Sequence, residues 1–554
     1  MHFLIFLLAI SLSFSAVASR DHLLFMMNAG KIEMAIERYQ ESVKENGKHD
    51  FETLEAMGAS LLEKGMDSND PESQLLSLFG AGAAGLKSTL SLCRTAMKSK
   101  NPTIQMAAIQ ILAQVDDEEG SDLLALCFSS PYLPIRLEAA YAFASRRHPK
   151  AVGYINALKQ KVPPQFGYLF PDLYARIGTV EATAHLKQLM NDTFIYPRLA
   201  SILGAASLGR DDFIREIRNT LTHLNPAEQE AASTAVGYLG DYNSRESLKK
   251  LALTGNTDVK IAAQKALITL GDKEFITPLQ TSAKQGNLFA ISALSGCRES
   301  TDTLAMLITH PDPTIRTNAA ISLLSCRDRR ALPVIKEILS APFYDIGFIP
   351  HYSPGRSMMH WKRVPSASVQ KDNENEHAAQ IGLSLRESLL AEVIELGDDA
   401  LVHVAGHLFE KSQRDLIPLL CSLLINAKTE SCLKLLSEQA QKAGAPFYRA
   451  YASLALYKIG HSETSKEAIL SWVEKENKTA LIQFRNIVPK KDQPSSLAQF
   501  SLTPHETSRL LLECYEAIAD GHTTDGIDTL LQAIHDGNKK NRYALAGLLL
   551  KALQ

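Results

Sequence analysis

The pairs Ile177-Gly178, Leu208-Gly209, Leu239-Gly240 and Leu270-Gly271 decide the fold, because each glycine stands 31 residues after the one before it. Four hits at one interval in succession are the mark of an internal repeat. The same frame runs back through Asp116 to Gly85, and forward with slippage to Gly397, Gly460 and Gly521. A second signature keeps step with it: Asn101-Pro102 follows Asp70-Pro71 by 31 residues, and both pairs open apolar runs. From Ile104, Ile135, Val259 and Ile315, the residues four and eight further on are Ala108/Leu112, Ala139/Phe143, Ala263/Leu267 and Ala319/Leu323. Steps of four and eight lie along one face of a helix. Small alanines in the middle of that face let a neighbouring helix approach, and the larger residues fill the core.

The rest of each unit follows. Proline in the first turn suits a helix start, since its missing N–H had no intrahelical partner there. Glycine after the apolar run serves as the left-handed stop. A polar turn such as Gly271-Asp272-Lys273 comes next, then a second amphipathic helix, as in Ala331 to Leu339. Strand-type alternation is nearly absent. The expected fold is therefore all-α, a right-handed α-solenoid of antiparallel helix pairs with a period of about 31 residues.

Asp312-Pro313-Thr314-Ile315-Arg316, leading into Ala319-Ala320 and then Asp328, resembles a HEAT repeat. The short period and Ala-rich first helix are similar to the compact HEAT-like class of the phycobilisome lyases. The segment Gly30-Lys31-Ile32-Glu33-Met34-Ala35-Ile36 with Tyr39 resembles one tetratricopeptide-like helix pair, which would cover one end of the array. The expected organisation is a leader over 1–18, a helical cap over 21–66, repeats over 70–340, an irregular insertion over 341–380, and further repeats over 381–554.

Composition bounds the function. At 554 residues the chain exceeds one compact core, and a repeat array escapes that limit by growing along one axis. A formal charge of -3 gives no overall cationic field, so nucleic acid is not an expected partner. Residues from Phe3 to Phe14 are apolar, and Ala16-Val17-Ala18 makes a small-x-small site, the pattern of a secretory signal cleaved after Ala18. Export, to a periplasm or outside the cell, is the expectation. The run is short for a retained membrane anchor and is broken by serines. The seven cysteines are odd in number and scattered, with no CxxC, and read as buried thiols.

No GxSxG, HExxH, P-loop or dinucleotide fingerprint occurs, so no catalytic residue is named and no cofactor is expected. Ser295-Gly296-Cys297-Arg298 and Ser325-Cys326-Arg327 look alike, which marks them as repeat positions rather than nucleophiles. The frame breaks between Ala341 and Gln380, where the composition also changes. Phe348, His351, Tyr352, Arg356, His360, Trp361, Lys362 and Arg363 gather there, and aromatics with arginine are the composition of interaction hot spots. They are the candidate binding residues. His351, His360 and His377 are 9 and 17 apart, unlike a compact zinc signature, and no metal is expected.

Three functions remain open on these grounds. One is a non-enzymatic scaffold or adaptor holding a protein or peptide partner on the solenoid surface and the insertion. Another, implied by the resemblance to the lyases, is a lyase or chaperone-type protein acting on a bound prosthetic group. A weaker third is peripheral membrane association through Trp361-Lys362-Arg363.

Overall fold

A computed structural model describes residues 19–85, 89–115, 117–341, 346–365, 374–411, 414–442, 445–484 and 502–554. The expected leader and its cleavage site lie outside these residues, as does Asp116. The fold is all-α, built of antiparallel helix pairs, with one two-stranded sheet among the described residues. The chain makes two compact units, one of Ala140–Lys442 and one in which the chain up to Ala139 joins the chain from Ala443 onward.

In the first of these, the pairs run Pro171–Ile177 with Val180–Met190, Ile195–Ser207 with Ile214–Thr220, and Pro226–Tyr238 with Arg245–Thr254. Thr257–Thr269 with Ile276–Lys284, Leu288–Ala293 with Thr301–Leu307, and Pro313–Ser325 with Leu332–Leu339 continue the series. The spaced residues do what their period requires: Val259, Ala263, Leu267, Ile315, Ala319 and Leu323 are all buried. First helices lie close to one another because small residues line the crossings. A Cβ added to Gly237 would come within 2.9 Å of Ala266 Cβ. The arginine early in a first helix reaches back to the preceding turn. Arg316 donates to the carbonyls of His310 (2.9 Å) and Pro311 (3.0 Å), and Arg198 to those of Asp192 (2.7 Å) and Thr193 (3.1 Å).

The glycines of the frame are the helix stops. Gly178, Gly209, Gly240, Gly271 and Gly296 have φ of 71°, 66°, 67°, 95° and 75°. Further on, the slipped frame departs from this rule. Gly460 is left-handed (φ 63°), and Gly397 (φ 101°, ψ 162°) both closes the turn Ile394–Leu396 after Glu374–Val393 and begins the helix Asp398–Glu410. Gly521 is ordinary (φ -72°), and His522 takes the left-handed place beside it (φ 46°). Between Ala151–Gln160 and Pro171–Ile177 the chain makes the 3-10 turn Pro164–Leu169.

The other unit takes in the N-terminal helices Arg20–Asn28, Ile32–Asn46 and Phe51–Met66, the pairs from Pro71 to Leu126, and the C-terminal helices Pro446–Lys458 to Arg542–Ala552. Phe51–Met66, expected in a cap, packs against Pro71–Ala84 and against the last helix, Arg542–Ala552. The last helix also crosses Pro71–Ala84 at a pair of glycines, where a Cβ on Gly547 would collide with the Gly80 carbonyl oxygen. Polar contacts fix the same junction. Lys540 sits 2.8 Å from Asp70 and, by that hydrogen bond first, holds its carboxyl down to about 2. Glu72 accepts from the Phe484 N–H at 2.9 Å, and the buried Arg542 donates to Ile534 O (2.8 Å) and Glu33 (2.7 Å).

All seven cysteines are buried. Burial pushes the Cys93 and Cys127 thiols up to about 12. Among the described residues, no helix is long and apolar enough to cross a membrane.

Gly547→Ala should force the two helices apart and lower stability by about 1–3 kcal/mol, the usual cost of an overpacked contact. Gly406→Ala, with open space around its Cβ, should be neutral or gain about 0.5–1 kcal/mol. Urea unfolding midpoints of the two variants compare them, and equal midpoints would refute the crossing as a constraint.

Candidate functional site

The stretch expected to be irregular contains an antiparallel hairpin over 346–365, and its last residues begin the helix Glu374–Val393. β1 (Ile346–Tyr352) pairs with β2 (Met359–Pro365), with His351 opposite His360 and Pro350 opposite Trp361. Aromatic and β-branched residues favour a half-buried strand, and Pro350 interrupts that pattern, which hid it from a reading by alternation. The tip, Ser353 to Met358, turns tightly: Arg356 N–H donates to Ser353 O at 2.9 Å, and Arg356 itself is left-handed (φ 56°).

Two side chains on first helices hold the hairpin. Glu230, on Pro226–Tyr238, is 1% exposed, and its carboxylate lies inside the tip. It accepts from Ser353 Oγ, from Ser357 Oγ at 2.7 Å and from the Gly355 N–H at 2.9 Å. Thr234, one turn further along the helix, donates to Ser357 Oγ at 3.0 Å. Gly355 is required by proximity, since an added Cβ would meet Ala227 O and Glu230 Cδ at 2.6 Å. Asn318, on Pro313–Ser325 and 2% exposed, reads the backbone of Trp361. Its Nδ2 donates to Trp361 O at 2.7 Å and its Oδ1 accepts from Trp361 N–H at 2.8 Å. An amide and a peptide unit thus satisfy each other's donor and acceptor, the arrangement that lets both be buried without loss.

The candidate binding residues divide sharply on this frame. Phe348 is 1% exposed and belongs to the core. His360 is 7% exposed, edge-on to Phe289 at 5.0 Å and 5.0 Å from His351. Burial lowers its pKa below the usual histidine value, with His351 and Lys362 adding to that, so the ring is held neutral. Trp361 is half-buried, and Arg363 lies 3.7 Å from Glu337. His351, Tyr352, Arg356 and Lys362 are exposed, with the Arg356 guanidinium over the Tyr352 ring at 5.3 Å. These four form the outward surface. Among the described residues, no group of three or more His, Cys, Asp or Glu side chains gathers to hold a metal ion.

Glu230, Thr234, Phe289 and Asn318 were not visible as site residues in the sequence. A signal existed for two of them. Glu230 occupies the place that buried Ile261 holds 31 residues on, and Asn318 sits directly before Ala319 in the small-residue row. A polar side chain at a buried repeat position needs a partner from outside the repeat.

The family comparison falls on the same repeats. The HEAT-repeat family matches the chain over residues 59–158. Residues 59–158 are HEAT repeats. The same frame of helix, left-handed stop and second helix continues through Leu339. No curated protein matches the chain by sequence. Among solved structures, the CpcE–CpcF phycocyanin lyase complex of Nostoc is 16% identical with a TM-score of 0.26, covering 45% of this chain and 92% of that one. Importin beta is 13% identical with a TM-score of 0.35 over 96% of this chain and 80% of its own. UNC-45 from Drosophila melanogaster is 11% identical with a TM-score of 0.30 over 96% and 87%. At these values none lends this chain a partner, a prosthetic group or a reaction.

Asn318→Ala should strand the Trp361 peptide group and cost about 1–3 kcal/mol locally. Amide exchange across 346–365 should accelerate while exchange in Thr257–Thr269 stays unchanged. Unchanged protection in the hairpin would show that Asn318 does not anchor it.

Proposed function

We propose that this HEAT-repeat chain is an exported, non-enzymatic scaffold that binds a protein or peptide partner through the hairpin and the first-helix face beside it. The observation that carries the reading is the clamp. Glu230 and Asn318 fix a two-stranded insertion on the repeat surface, and the fixed insertion turns His351, Tyr352, Arg356 and Lys362 outward. A surface held rigid before binding loses less side-chain and loop entropy on association. Tyrosine and arginine are the residues that most often anchor such interfaces. Export rests on the apolar run and the Ala16-Val17-Ala18 site.

Affinity capture with the mature chain tests the partner surface. Replacing His351, Tyr352, Arg356 and Lys362 together by alanine should remove the captured protein, because none of the four holds Glu230 or Asn318 through its side chain. Capture of the same protein by the quadruple variant would retire this surface.

Mass measurement of the chain recovered from a secreting host tests export, with the expected N-terminus at Ser19. A chain retained in the cytoplasm with its first 18 residues intact would exclude it.

A further inference from the structure

The left-handed stop after a helix is glycine at 178, 209, 240, 271 and 296, lysine at Lys428 (φ 55°), and arginine at two places in the same unit, Arg147 (φ 53°) and Arg327 (φ 61°). The two arginines hold the structural position of Gly209. The N–H of the left-handed residue and the N–H after it close on the helix in one pattern: Arg147 to Ala144 O and His148 to Phe143 O, as Gly209 to Ala206 O and Arg210 to Ala205 O. Arg327 and Asp328 repeat it on Leu324 O and Leu323 O. Arginine in the left-handed region is strained where glycine is not.

Each of these arginines opens on a cleft. Around Arg327 the cleft, about 430 Å³, is also lined by Arg298 and Arg329. Carboxylates of the same chain answer two of its cations: Glu395 lies 2.6 Å from Arg327, and Asp399 takes Arg329 with both oxygens at 2.6 and 2.7 Å. Around Arg147 the cleft, about 370 Å³, is lined by Arg176 and Arg210 together with Ser145, Ile177 and Leu208. Arg176 is held by Asp172 at 2.6 Å and Arg210 by Asp212 at 2.8 and 2.6 Å. The Arg147 guanidinium meets no carboxylate among the described residues.

We propose that the cleft between Arg147, Arg176 and Arg210 is a binding site for a carboxylate of an acidic peptide segment, taken on Arg147 as Arg327 takes Glu395. Carboxylate is the ligand because it is what the chain itself supplies at the equivalent turn. The apolar walls from Ile177 and Leu208 suit the methylene stem of a glutamate better than a bare ion. The site rests on the scaffold reading only in that the ligand is a polypeptide, and it shares no residue with the hairpin surface.

The test is fluorescence anisotropy of a dye-labelled, N-acetylated hexaglutamate peptide with the full mature chain at low salt. Arg147→Gly restores the residue the frame uses elsewhere, so the thermal midpoint should move by no more than about 2 °C. Affinity should fall about fivefold or more, the scale of one partly desolvated ion pair. Arg327→Gly, whose cation already has Glu395, should change it by less than about twofold. Equal affinities for wild type and Arg147→Gly would overturn the site. Displacement of the peptide by inorganic phosphate at lower concentration than by acetate would overturn the choice of carboxylate. Loss of binding in the hairpin quadruple variant, with Arg147→Gly unaffected, would leave the scaffold reading standing and remove this cleft from it.

Discussion

A chain of stacked helix pairs depends on every first helix stopping at the same place, and the left-handed residue after it sets that place. With φ near 70° at Gly209 and Gly240, the backbone reverses in one residue and the next N–H returns to the last turn of the helix. A stop one residue late would rotate the second helix by about 100° and carry its apolar stripe off the core. The buried rows Val259–Ala263–Leu267 and Ile315–Ala319–Leu323 remain in register because the stops do. Close contact between first helices, as at Gly237 and Ala266, follows from that register together with small side chains.

That layer of small residues is also why the hairpin sits where it does. Where Pro226–Tyr238 and Pro313–Ser325 carry Glu230 and Asn318, the repeat cannot satisfy them from within. An unpartnered carboxylate or amide buried in a helix layer costs several kcal/mol. The tip of the hairpin supplies one N–H and two hydroxyls to Glu230, and the peptide of Trp361 supplies a donor and an acceptor to Asn318. The polar groups therefore specify the docking position, while Phe348 in the core adds area without direction.

The repeat was legible in the sequence because its signals are local. A glycine, a proline and an alanine face are each decided within a turn or two of helix. The slipped glycines at 397 and 521 show the limit of that reading: both end helical runs, but spacing alone does not tell that the first also begins the next helix and that the second is not left-handed. The hairpin was read as irregular because Pro350 breaks the alternation and its contacts lie more than 40 residues away. The candidate residues accordingly divide by exposure: Tyr352 and Arg356 face outward, and Phe348 and His360 do not. The junction of Gly80 with Gly547 was invisible, having no periodic signature. Closing a flexible loop of that length costs about 5 kcal/mol, by the logarithmic dependence on length. Burial of Leu545, Leu548, Leu549 and Leu550, at about 1.5–3 kcal/mol each, offsets it.

Departures from the repeat carry the functional information, and they can be ordered by what compensates them. The residue that recurs at a repeat position is the one that suits its geometry, so a replacement there costs stability unless something new answers it. The hairpin answers Glu230 in place of an isoleucine and Asn318 within the small-residue row. Arg327 in place of a glycine is answered by Glu395, an ion pair that is half exposed and worth about 1 kcal/mol at most, comparable to the strain it accompanies. Arg147 bears the same backbone strain with no carboxylate opposite it among the described residues. Compensation that is absent within a chain is supplied from outside it or not at all, and a cleft with apolar walls and one unanswered cation is shaped for the former.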